Sequence, residues 1–123
     1  MPEPNESGQM LAGRLYATLR VLKFLAQPDS PKPSTWDEAE EKDRPRDRIE
    51  ALRLDLFEDL VTAVQKGRNA QALSEVFCAI PALVPPKKAA LNDNLGERAL
   101  VDFNAGYRAQ LTTLKKALPQ LLD

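Results

Sequence analysis

The chain has no histidine and only one cysteine among its 123 residues. Without histidine it lacks the commonest general base, the usual triad member and the commonest metal ligand of proteins. A single cysteine, Cys78, excludes an intrachain disulfide and a two-cysteine metal knuckle. Its neighbours Val76, Phe77 and Ile80 are apolar, so we expect the thiol to be buried and inert. These absences predict a protein that is not an enzyme and that holds neither a metal nor a cofactor.

Long apolar runs and phosphate-binding loops are also missing. No apolar segment approaches the roughly 18 to 20 residues that a transmembrane helix needs. The first seven residues are polar and acidic, whereas a secretory signal peptide starts basic and continues apolar. We therefore expect a cytoplasmic protein without a membrane segment. The five glycines are scattered, and none has the spacing of a nucleotide-binding loop.

The spacing of apolar residues predicts helices along most of the chain. Four main helices are expected over about residues 7–26, 45–65, 69–79 and 94–118. Prolines predict a loop over about 27–35 and a connector over about 81–93. No segment alternates apolar and polar residues as a half-buried strand does. The sequence therefore predicts an all-α fold, a single-domain helical bundle over residues 1–123.

We expect the last helix to be the one on which the others pack. Its apolar residues recur at steps of three and four, the spacing of one helix face: Leu100, Phe103, Tyr107, Leu111, Leu114 and Leu118. On the second long helix the predicted core positions are Ile49, Leu52, Leu56, Leu60 and Val64, flanked by Leu54, Phe57 and Val61. The first helix is apolar over so much of its surface that we expect it to contact more than one neighbour.

Basic side chains are the remaining candidates for a functional site. The first helix carries Arg14, Arg20 and Lys23 and no acid. On the last helix Arg108 and Lys115 are seven residues apart and therefore share a face. If these two helices pack side by side, the five residues would form a groove that neutralises a nucleic-acid backbone. The alternative is that they are dispersed charges that keep the bundle soluble.

Two segments of these helices carry a family resemblance. The first spans residues 7–19, in which 12–17 read Ala-Gly-Arg-Leu-Tyr-Ala, and the second spans 97–110, in which 103–110 read Phe-Asn-Ala-Gly-Tyr-Arg-Ala-Gln. They resemble the opening and closing helices of the C-terminal domain of the type I-C CRISPR large subunit, a region also made separately as the small subunit of the Cascade surveillance complex. The matched positions are Ala12, Gly13, Arg14, Leu15, Tyr16 and Ala17, with Phe103, Gly106, Tyr107 and Gln110. Where the family usually has a second tyrosine and a histidine, this chain has Arg108 and Ala109.

The resemblance implies a non-catalytic helical subunit, present in more than one copy, that lines a crRNA-guided complex. Such a subunit contacts the Cascade backbone and large subunits and holds target DNA strands without reading base edges. It implies no cofactor and no membrane partner. Under this interpretation the residues that contact phosphates are Arg14, Arg20, Lys23, Arg108 and Lys115. The residues with a structural role are Gly13, Leu15, Tyr16, Phe103, Gly106 and Tyr107.

A second interpretation is a small adaptor or inhibitor module with no role in nucleic-acid binding. Thr35 and Glu38 form a capping-box pattern, which predicts a short acidic helix over about 36–42. Trp36, the only tryptophan, would then form a protein-binding surface together with the acidic residues of 37–43. The sequence leaves both interpretations open.

Overall fold

The computed structural model describes residues 8–26, 45–67, 70–84 and 97–119. Within these ranges the protein is an all-α bundle without strands, which confirms the predicted fold class. Its elements are α1 (Gly8–Ala26), α2 (Pro45–Gln65), α3 (Ala70–Cys78), a 3₁₀ turn (Ile80–Leu83) and α4 (Glu97–Ala117). The predicted loop over 27–35 and the predicted acidic helix over 36–42 lie outside the described residues, as does most of the connector over 81–93.

The two ends of α2 follow directly from a proline and a glycine. Pro45 suits the first turn because the N–H that it lacks would have no partner inside the helix there. At the other end Gly67 has φ +68°, a left-handed conformation that side chains disfavour. The amide of Gly67 donates to the Val64 carbonyl oxygen at 3.2 Å, and the amide of Lys66 donates to Thr62 at 3.0 Å. These bonds satisfy carbonyl groups that the end of a helix would otherwise leave without partners.

The centre of the fold is α1, and the prediction that the last helix would take this place was wrong. α2, α3, the 3₁₀ turn and α4 all pack on α1, whereas α4 packs chiefly on α1 alone. Buried residues surround α1 on most sides: Ala12, Gly13, Leu15, Tyr16, Ala17, Thr18, Leu19, Val21, Leu22, Leu25 and Ala26. The expectation that α1 contacts more than one neighbour is confirmed.

α2 is apolar on two sides, and only one of them faces the core. The residues that pack partly buried against the core are Ile49, Leu52, Leu56 and Leu60, as predicted. Val64 was predicted to join them but is 63% exposed, and its neighbour Ala63 is fully buried instead. Ala63 lies three residues after Leu60 and therefore shares the core-facing side of α2 with it. Val64 comes one residue later, about 100° further around the helix axis, and points away from the core.

The lone cysteine is exposed, so the expectation of a buried thiol was wrong. α3 buries Leu73 and Val76, which are three residues apart and share a face. Cys78 follows Val76 by two residues and therefore lies about 160° around the helix axis from it. Burial of Val76 thus turns the thiol toward solvent, although the two residues are close in sequence.

The backbones of α1 and α4 are in direct contact at two glycines. A Cβ atom on Gly13 would collide with the carbonyl oxygen of Phe103 and would lie 2.8 Å from the amide nitrogen of Tyr107. A Cβ atom on Gly106 would collide with the carbonyl oxygen of Met10. Because the obstructing atoms belong to the backbone, no change of rotamer relieves either collision. The crossing of α1 and α4 therefore requires glycine at both positions.

We expect Gly13→Ala and Gly106→Ala each to lower the free energy of unfolding by about 2 kcal/mol or more, since α1 and α4 must move apart to admit the methyl group. In an ordinary helix interior the same change stabilises by up to about 1 kcal/mol, so the sign of the effect is diagnostic. Urea unfolding followed by circular dichroism measures it. Val101→Ala, at an exposed position of α4, is the control and should change stability by less than about 0.5 kcal/mol. Stabilisation by both glycine substitutions would contradict the backbone contact.

Candidate nucleic-acid interface

The two segments that carry the family resemblance meet where α1 crosses α4. Tyr16 of α1 packs against Phe103 and Tyr107 of α4, with ring centroids 5.8 and 5.5 Å apart and ring planes tilted by 33° and 35°. All three rings are buried, and distances of this size are typical of stabilising aromatic pairs. Gly13 and Gly106 form the backbone contact of the same crossing. Five of the six predicted structural residues thus lie together at this crossing: Gly13, Tyr16, Phe103, Gly106 and Tyr107.

Arg48 of α2 joins this aromatic cluster of Tyr16, Phe103 and Tyr107. Its guanidinium carbon lies 5.5 Å from the centroid of the Tyr16 ring. Its Nη1 also donates a hydrogen bond to the Tyr16 hydroxyl oxygen at 3.2 Å. A cation over a ring face is attracted by the negative charge of that face. Tyr16 of α1 therefore contacts both α2 and α4. The sequence analysis did not predict the contact between Arg48 and Tyr16.

Arg14, a predicted phosphate ligand, belongs to a polar network between α1 and α4. Its Nη1 donates to Oε1 of Gln110 at 3.0 Å, and Nε2 of Gln110 donates to the Thr18 hydroxyl at 3.2 Å. The Thr18 hydroxyl in turn donates to the Arg14 carbonyl oxygen at 2.9 Å. Thr18 is fully buried and Gln110 is only 7% exposed. Since buried polar groups need partners, this network holds the guanidinium of Arg14 against α4.

Lys23, another predicted ligand, faces α2. It follows Arg14 by nine residues and so lies about 180° around the axis of α1 from it. Its Nζ is 3.8 Å from Oδ2 of Asp55 and 4.0 Å from Oδ2 of Asp59. Asp59 is buried, which is unusual for a carboxylate unless a cation is near. The charge of Lys23 is thus partly neutralised within the fold.

Arg108 is the one exposed residue among the five predicted phosphate ligands. Its Nε donates to the carbonyl oxygen of Asn104 at 3.3 Å, which directs the guanidinium along α4. Lys115, two turns further along, is half-buried on the same flank of the helix. We call this surface the Arg108 flank, defined by Arg108 and Lys115.

The structure does not place the five basic residues in one groove. Gln110, the partner of Arg14, lies about 160° around the axis of α4 from Arg108. Arg14 therefore lies at the flank of α4 opposite to the Arg108 flank, and Lys23 lies beside α2. Arg20 is half-buried on α1. Of the five predicted residues, only Arg108 of α4 is exposed to solvent.

The sequence analysis gave no role to four buried polar residues, Thr18, Asp59, Asn104 and Gln110. Thr18 stands between Ala17 and Leu19 in an otherwise apolar stretch of α1. Asp59 stands on the inward face of α2, and Gln110 was noted only as a motif position. A polar residue within an apolar helix face is the signal that could have identified them, because such a group requires a partner when buried.

Within the described ranges, no helix is long and apolar enough to cross a membrane. The same part of the chain contains no group of three or more acidic or cysteine residues that could hold a metal ion. Comparison of the chain with models of protein families, with curated proteins and with solved structures finds no match.

We expect Thr18→Val to lower the free energy of unfolding by about 1 to 2 kcal/mol, because it leaves the buried amide of Gln110 without its acceptor. Thr113→Val is the matched control. The Thr113 hydroxyl makes the same type of bond, to the Ala109 carbonyl oxygen at 3.0 Å, but it is exposed. Its loss should change stability by less than about 0.5 kcal/mol. Equal effects of the two substitutions in urea unfolding would show that the network contributes nothing.

Proposed function

We propose that the chain is a non-catalytic small subunit of a type I, I-C-like CRISPR surveillance complex, in which it supports bound target DNA. The observation that carries the proposal is the meeting of residues 12–17 and 103–110. Both segments resemble the family, and they are far apart in sequence yet pack on each other at the crossing of α1 and α4.

In this role the Arg108 flank contacts the phosphates. Arg108 and Lys115 lie seven residues apart, about 10 Å along the helix axis, so each meets a different phosphate. Contacts of this kind bind the nucleic-acid backbone and do not read its sequence. Lys23 reaches a phosphate only by leaving Asp55 and Asp59. We therefore assign the phosphate contacts first to α4, and the role predicted for Arg14, Arg20 and Lys23 stays a prediction.

The proposed partners are the Cascade backbone and large subunits, crRNA and target DNA within the complex, and further copies of the chain. The proposed location is the cytoplasm, and the role requires no cofactor. A protein that positions strands without chemistry needs no general base, which fits a chain without histidine.

A tagged copy expressed in its native cells provides the first test. We expect it to co-purify with a crRNA and with Cascade backbone subunits, identified by RNA sequencing and mass spectrometry. A matched purification with the tag alone is the control. Recovery of one unrelated protein without RNA would refute the proposal and would favour the adaptor interpretation.

We expect Arg108→Gln and Lys115→Gln each to reduce the salt dependence of target-DNA binding by the recovered complex. The slope of log K against log salt should fall by about one for each phosphate contact that is lost. Fluorescence anisotropy at several salt concentrations measures the slope. Lys66→Gln removes the same charge from an exposed position at the end of α2 and should leave it unchanged. An unchanged slope in both α4 variants would show that the Arg108 flank does not contact DNA.

A further inference from the structure

α2 presents a line of large apolar side chains to solvent. Leu54, Phe57, Val61 and Val64 are 73%, 76%, 37% and 63% exposed. We call this surface the outer stripe. Its members are separated by three, four and three residues, the a and d spacing at which two helices pack together in a coiled coil. The core-facing residues of α2 lie on a different side of the helix, and none of the four stripe residues belongs to the core cluster.

Two charged residues beside the outer stripe indicate what covers it. In the seven-residue repeat of a coiled coil, labelled a to g, Leu54 and Val61 take the apolar a positions. Arg53 then takes a g position and Glu58 takes an e position. In a parallel pair of helices, a residue at g faces the e residue five positions further along its partner. Glu58 is five residues after Arg53. Two copies of α2 packed in parallel thus place Arg53 of each copy, which pairs with Glu50 of its own helix at 3.0 Å, opposite Glu58 of the other.

The antiparallel arrangement lacks this complementarity. If the same four apolar layers are aligned antiparallel, Phe57 of one copy packs beside Val61 of the other, and Glu58 faces Glu58. Like charges at such positions disfavour a pairing. The charges therefore select the parallel orientation, in which one surface is complementary to itself about a two-fold axis.

We infer that the outer stripe is the contact between two copies of this chain, related by a two-fold axis with their α2 helices parallel. The stripe is about 15 Å long, which is short for a coiled coil, so the dimer dissociates on dilution. The inference rests on α2 alone and does not require the proposed function.

Sedimentation equilibrium of the purified full chain over a range of concentrations tests the contact. We expect a monomer–dimer equilibrium whose dissociation constant rises at least tenfold in Val64→Glu. Val101→Glu is the matched control, because Val101 of α4 is similarly exposed, at 57%, and lies outside the stripe; it should leave the equilibrium unchanged. A monomer at every concentration, or equal effects of the two substitutions, would overturn the inference.

Charge exchange and crosslinking test the orientation. Arg53→Glu should weaken the dimer, and the double variant Arg53→Glu/Glu58→Arg should restore it. In a Cys78→Ser background, Phe57→Cys should form a disulfide-linked dimer under mild oxidation, because position 57 meets its own counterpart in the parallel arrangement. Disulfide formation only between Phe57→Cys and Val61→Cys chains would show the antiparallel arrangement and overturn the proposal. These measurements use no nucleic acid and no other subunit, so their failure leaves the proposed function untouched.

Discussion

The backbone contact between α1 and α4 is the constraint on which the other contacts of this fold depend. With glycine at positions 13 and 106, the two helices approach until carbonyl oxygens of one occupy the space where side chains of the other would begin. That approach brings Tyr16 against two aromatic rings of α4 and brings Arg14 within hydrogen-bond distance of Gln110. At a wider separation the side chains of this interface would not meet. Gly13 and Gly106 thereby determine which side chains of α1 and α4 come into contact.

The position of α1 at the centre of the bundle explains how its charged residues are used. A central helix has little surface left for solvent, so each polar residue on it must find a partner on a neighbouring helix. Arg14 finds its partner on α4, and Lys23 finds two carboxylates on α2. The absence of acids from α1 in the sequence indicated a free positive surface. In the structure the acids that balance part of this charge come from α2 instead.

The existence of the four helices could be predicted from the sequence, and so could the two ends of α2, because Pro45 and Gly67 act on the backbone locally. The inward face of α2 could not be predicted in full. Its core-facing residues and its outer stripe both have helical spacing, and periodicity alone does not tell which of two apolar sides meets a neighbour. The single groove predicted for the five basic residues was not found, because Arg14 pairs with Gln110 of α4 and Lys23 faces the carboxylates of α2. These partners could not be predicted, because the bond from Arg14 to Gln110 joins residues 96 positions apart.

The separation of α2 from α4 bears on whether the two proposed surfaces can act together. Both helices pack on α1, and α4 makes few contacts with any other helix. The outer stripe and the Arg108 flank thus lie on different helices, each held in place by α1. Two copies joined through α2 would leave both Arg108 flanks accessible, one on each copy. If the Arg108 flank binds phosphates as proposed, such a dimer would contact a strand twice and gain affinity without any further contact in either copy.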